Sequence, residues 1–151
     1  MTIAADGRYP WFQLYRRSSD KVVEMLLDLA KFRQMVLYAW CVMPDHIHML
    51  VQDENVIELV RLLKGRLTIE SRRLELGRNL WQRSFHDHAL RGDEPLLDVA
   101  LYIWQNPVRA GIIDSACDYP WSGSLVWLDW KVMLGVDGRA GITPAPTEPG
   151  T

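Results

Sequence analysis

Cysteine is scarce in this chain. It has two thiols in 151 residues, Cys41 in an apolar run and Cys117 in a loop-like stretch, and these make neither a disulfide framework nor a Cys-x-x-Cys site. Long apolar runs are also missing: the longest, Met35 to Met43, covers nine residues, whereas a membrane-spanning helix needs about twenty. The opening Met1-Thr2-Ile3-Ala4-Ala5-Asp6 lacks the basic flank and apolar segment of a signal peptide. A soluble, cytoplasmic protein with no membrane partner is expected. Positive charge is not in excess either. A net charge of −2 counts mildly against nucleic-acid binding.

What remains is ordinary globular material. Apolar residues make up 48% and charged residues 24%, enough for one domain with a real core. Residues 1–5 read as a short strand. Val22, Val23, Leu26, Leu27 and Ala30 have helical spacing over Asp20 to Phe32, with Ser19 or Asp20 as N-cap. Met35 to Met43 and His46 to Gln52 read as a hairpin about a Pro44-Asp45 turn. A second helix is expected over Val56 to Leu76 and a strand over Trp81 to Leu90. A third helix should be capped by Asp93, tolerate Pro95 in its first turn and be stopped by Pro107 just after Asn106. This order predicts an α+β fold, a ferredoxin-like antiparallel sheet with helices packed on it. Residues 1–130 form the expected domain. Residues 131–151 form an expected disordered tail, rich in Gly, Pro and Thr from Gly135.

The strongest chemical signal is His46-Ile47-His48 at the start of the second hairpin arm. Residues i and i+2 of a strand share a face, about 6.6 Å apart at roughly 3.3 Å rise each. Two imidazoles there can close on one metal ion while Ile47 anchors the opposite face. In the third helix Tyr102 stands off the Leu97–Leu101–Trp104 ridge, on the line Asp98, Tyr102, Asn106. Such a tyrosine either sits amphipathically at the helix edge or uses its hydroxyl. With the histidines, an Asn106 oxygen completes a three-residue metal set, and the Tyr102 hydroxyl becomes a nucleophile for a polarised phosphodiester. A phenolate of pKa near 10 leaves far more readily than an alkoxide, so the step is reversible. No residue stands out in the sequence as the base for Tyr102.

The run Ala39-Trp40-Cys41-Val42-Met43-Pro44-Asp45-His46-Ile47-His48-Met49-Leu50-Val51 resembles the signature of the single-tyrosine HUH transposases, the IS200-like superfamily. The run Tyr102-Ile103-Trp104-Gln105-Asn106-Pro107-Val108-Arg109-Ala110-Gly111 resembles the tyrosine helix of the REP-associated subgroup, as do Trp81 to His88 and Tyr119-Pro120-Trp121-Ser122. The resemblance covers about residues 1–124. It implies an enzyme that nicks and rejoins single-stranded or hairpin DNA, here REP-like palindromes, through a 5′-phosphotyrosine on Tyr102. His46, His48 and Asn106 would hold Mg2+ or Mn2+, and two imidazoles suit manganese at least as well as magnesium. Arg61, Lys64, Arg66, Arg72, Arg73 and Arg83 are candidates for DNA-backbone contacts on composition alone, a solvated helix face being the alternative.

Three departures accompany the resemblance. The first strand is short for the family, the chain is less basic than many DNA-processing relatives, and His86-Asp87-His88 is a second His-x-His. Because Asp87 would face the core, a hydrogen-bonding role fits that pair better than a second metal. The other readings are a binding module that holds hairpin DNA without cutting it, and a metal-dependent phosphohydrolase with a structural Tyr102. Monomer and homodimer are both compatible with the sequence.

Overall fold

The computed structural model describes residues 2–4, 16–73 and 95–135. The chain opens with strand β1 (Thr2–Ala4), followed by helix α1 (Arg16–Arg33) and the hairpin β2 (Val36–Val42) and β3 (His46–Gln52). Helix α2 (Val56–Arg73), helix α3 (Leu96–Trp104) and a short helix α4 (Asn106–Arg109) come next. A 3-10 turn (Ala116–Asp118), strand β4 (Ser122–Gly123) and helix α5 (Trp130–Met133) complete the described order. Among the described residues the strands align as β1-β3-β2-β4, all antiparallel. β3 thus lies between β1 and β2, which run parallel to each other and are joined through α1. This split βαβ half of a ferredoxin-like sheet gives the α+β class expected from the sequence.

Alternation along β3 sorts side chains onto two faces. Ile47, Met49 and Val51 join Leu37, Trp40 and Val42 of β2 in a core roofed by α1 and α2. Helix α1 contributes Val22, Leu26, Leu29 and Ala30, and α2 contributes Leu59, Val60, Leu63 and Leu67, each set at the i, i+4, i+8 spacing of one helix stripe. The other face carries Ala39, Cys41, Met43 and Leu50 beneath Ala100, Ile103 and Trp104 of α3. By the same alternation His46 and His48 share that second face with Leu50. The register shifts between Leu37 and Ala39, leaving Tyr38 as the extra residue of a β-bulge. Tyr38 and Ala39 both meet the α3 side as a result.

Several boundaries differ from the sequence expectation. α1 starts at Arg16, so Ser19 is a buried helical residue and not its cap. The helix ends in a Schellman arrangement in which Gln34 takes φ 53°. The Met35 amide donates to the Ala30 carbonyl at 3.1 Å, and the Gln34 amide to that of Lys31 at 3.3 Å. α2 is capped by Asn55, whose Oδ1 accepts from the Glu58 amide at 3.1 Å. α3 is preceded by Pro95 as its N-cap and ends at Trp104, before Asn106. Pro107 cannot continue α3 but is tolerated in the first turn of α4. Residues 131–134, expected in the tail, continue the fold: Lys131 to Met133 are helical and Leu134 is buried beside Trp104 and Trp130. Apolar contact overrides the small, polar composition that follows. The expected strand Trp81 to Leu90, with His86 and His88, the Asp93 cap and residues 136–151 lie outside the described residues.

Candidate active site

The hairpin sets the histidines in place. The Met43 amide donates to the His46 carbonyl at 2.8 Å, closing the turn through Pro44 and Asp45. Asp45 then accepts from Nδ1 of His46 at 2.5 Å. A carboxylate there holds His46 in the tautomer whose Nε2 carries a free electron pair. That Nε2 lies 2.9 Å from Nε2 of His48, and the rings stand edge to face, interplanar 87°, with centroids 4.6 Å apart. In this form His48 Nε2–H donates to His46.

The same geometry fits a shared cation. Two nitrogens each about 2.1 Å from a metal and at right angles to it are about 3.0 Å apart, against about 3.4 Å for a tetrahedral pair. The 2.9 Å spacing is that of the N–H···N bond, and a shared cation would take the place of its proton. Among the described residues no group of three His, Cys, Asp or Glu side chains could hold a metal. Asn106 is a suitable donor. The ligand atom would be its Oδ1; its Nδ2, buried with no hydrogen-bond partner among the described residues, is a donor and suits an acceptor such as a phosphate oxygen, not a cation.

Tyr102 lies on α3, half-buried and off the set Ala100, Ile103, Trp104 that seals the helix to the sheet. Arg109, which the sequence reading quoted but gave no role, joins it. Its guanidinium carbon sits 3.8 Å above the Tyr102 ring centroid, and its Nη2 donates to the Tyr102 carbonyl at 2.7 Å. That carbonyl is among the last four of α3, which have no partner within the helix. The available signal was spacing: positions 102, 106 and 109 fall at i, i+4 and i+7.

Cys41 links these groups to the histidines. It is the cross-strand neighbour of His48. Burial pushes its thiol up to about 12, against the hydroxyl of Ser122 and the positive charge of Arg109, which both act to lower it. Cys41 is thus a protonated core residue and no nucleophile. Tyr119, buried on the same face, donates its hydroxyl to the Val42 carbonyl at 2.5 Å. Burial raises its pKa, so it too stays protonated.

Comparison with known families decides the kinship. The family model described as "Transposase IS200 like" matches residues 4–106, a span that includes His46, His48, Tyr102 and Asn106. The chain belongs to the IS200-like transposase family. A Haemophilus influenzae protein provisionally named a REP-associated tyrosine transposase is 35% identical over 98 residues, 56% of each chain. The REP-associated tyrosine transposase of Escherichia coli K12 is 27% identical over 114 residues, 73% of this chain and 67% of that one. The chain thus spans little more than half the length of the Haemophilus relative. A solved REP-associated tyrosine transposase bound to a REP hairpin shares the fold, with TM-score 0.64 and 23% identity over 80% of this chain and 72% of that one.

Within this IS200-like chain the candidate DNA-contact residues stand apart from the histidines. Arg61, Lys64, Arg66, Arg72 and Arg73 all belong to α2, which covers the opposite sheet face. Arg61 forks onto Glu58 at 2.8 and 2.7 Å, Arg73 donates to Glu70 at 2.9 Å, and Arg66 lies 5.9 Å from the Phe32 ring centre. Lys64 is partly buried, which lowers its pKa. Arg83 lies outside the described residues.

Proposed function

We propose that the protein is a metal-dependent tyrosine transposase that nicks and rejoins single-stranded or hairpin DNA of the REP-like palindrome class. The observation that carries this reading is the His46–His48 pair, with Nε2 atoms 2.9 Å apart, on the sheet face roofed by the Tyr102 helix. His46, His48 and the Asn106 amide oxygen would hold Mg2+ or Mn2+. The ion supplies Lewis-acid polarisation of a scissile phosphate. The Tyr102 oxygen then bonds to phosphorus as the P–O3′ bond breaks, giving a 5′-phosphotyrosine and a free 3′-hydroxyl. Rejoining reverses the step, with the phenolate as leaving group.

Kinship with proteins named REP-associated tyrosine transposases supports the substrate class. No helix among the described residues is long and apolar enough to cross a membrane, in keeping with a DNA substrate. The deciding experiment incubates the protein with labelled hairpin DNA and Mn2+ and resolves the products on a denaturing gel. A covalent protein–DNA band is expected, and Tyr102→Phe should reduce it at least about a thousandfold. Cleavage that survives this change would remove Tyr102 as the nucleophile. Binding with no cut by the wild type would leave a hairpin-binding module.

A further inference from the structure

Arg109 lies against the Tyr102 ring and has no part in the chemistry proposed so far. From the stacking geometry we infer that Arg109 is a positioning residue for Tyr102. It fixes the phenol ring for attack and keeps a positive charge beside the phenol oxygen as negative charge develops there. This inference rests on Tyr102 being the nucleophile.

Three observations converge on it. The guanidinium lies 3.8 Å from the ring centroid, well inside the roughly 6 Å reach of a cation–π contact. One of its nitrogens is tied to the backbone of the same residue at 2.7 Å, so the fork is anchored and cannot swing away without losing a hydrogen bond. Arg109 sits in α4, which follows directly on α3, the helix that roofs the sheet face carrying the histidines. The local backbone holds this arrangement. Pro107 forces the break between α3 and α4, and Gly111 at φ +72° ends the second helix immediately afterwards.

The consequence is specific to the chemical step. In cleavage the phenol gives up its proton to solvent and its oxygen bonds to phosphorus as the 3′-oxygen departs. In rejoining the 3′-oxygen attacks, the O–P bond to Tyr102 breaks, and the electron pair returns to the phenol oxygen. Partial negative charge stands on that oxygen in both directions, so a cation held against the ring favours both. A planar, delocalised guanidinium held 3.8 Å from the ring centroid can do this over a broad contact; an ammonium is a compact point charge without that plane.

The test compares wild type, Arg109→Gln and Arg109→Lys as full chains with hairpin DNA and Mn2+, measuring Kd separately from single-turnover cleavage at saturating DNA. Arg109→Gln should slow cleavage and rejoining alike, by about 30-fold, with Kd changed less than about twofold. Arg109→Lys should recover part of the rate. A Kd loss that accounts for the whole rate loss would make Arg109 a DNA contact and overturn the inference. So would an unchanged rate in Arg109→Gln. A second readout needs no activity: ring current should shift the Arg109 side-chain proton resonances upfield in wild type, and Tyr102→Leu should abolish that shift. Its absence in wild type overturns the stacking itself. If wild type forms no covalent product at all, the nucleophile reading fails, and this inference with it. A normal wild type with an unimpaired Arg109→Gln sinks the inference alone.

Discussion

The two faces of the sheet are made from one alternating sequence and do opposite work. On one, Ile47 and Met49 are fully buried under α1 and α2 with apolar neighbours throughout. On the other, the intervening His46 and His48 bring their nitrogens to 2.9 Å under a helix whose tyrosine stays half-buried. A largely buried ion pair ties α1 to the loop that follows β3. Arg33 grips Asp53 through two bonds of 2.8 and 2.6 Å and holds its carboxyl below the usual range. After the helix that roofs the second face, Asn106 Nδ2 is buried with no partner among the described residues, and Arg109 lies over the Tyr102 ring. Apolar burial is deep on both faces, Ala100 and Trp104 being as fully buried on the second as Leu26 and Leu63 are on the first, and the first has an orphan of its own among the described residues in Trp40 Nε1.

This division can be broken from either side. Leu26→Ala removes a fully buried side chain from the sealed face and should cost about 3 kcal/mol, read from urea midpoints. The single-turnover rate per folded molecule should not move. A rate loss larger than the unfolded fraction explains would mean that the faces are coupled. On the other face, Asp45→Ala deletes the carboxylate that orients His46. It should weaken Mn2+ binding about 10- to 100-fold in calorimetry while the melting temperature stays within a few degrees. Unchanged Mn2+ affinity would remove Asp45 as the orienting group.

How much of this could be read from the residues depends on the range of the forces involved. β3 was legible to the residue, His46 to Gln52, because its alternation and the Pro44-Asp45 turn are local signals. The stripe of α1 was legible, but its start was not. The helix begins at Arg16, three residues before the Ser19 that resembles a cap. β4 was missed because Ser122-Gly123 has little strand propensity. Its place follows from long-range contact: the Trp104 indole donates to the Gly123 carbonyl at 3.0 Å, and a Cβ on Gly123 would run into the Trp40 ring. His46, His48, Tyr102 and Asn106 stand out by residue type and spacing. Arg109 falls at the i+7 spacing from Tyr102 but has nothing in residue type to set it apart from the other arginines of the chain.

The smallest predicted effect sharpens the comparison on the sealed face alone. Gln34 is a non-glycine residue at φ 53°, where an L side chain costs roughly 1–2 kcal/mol because its Cβ crowds the backbone. Gln34→Gly removes that crowding but gives the unfolded chain more freedom, which returns roughly 0.4–1 kcal/mol to the unfolded state. The balance should favour the variant by about 0.5 kcal/mol, seen as a melting temperature a few degrees higher. Gln34→Ala keeps a Cβ and should change little. Equal gains from both substitutions would place the strain in the Gln34 side chain and not in its backbone. The α1 cap lies on the α1/α2 side, away from the histidines, so DNA cleavage per folded molecule should be the same in all three proteins.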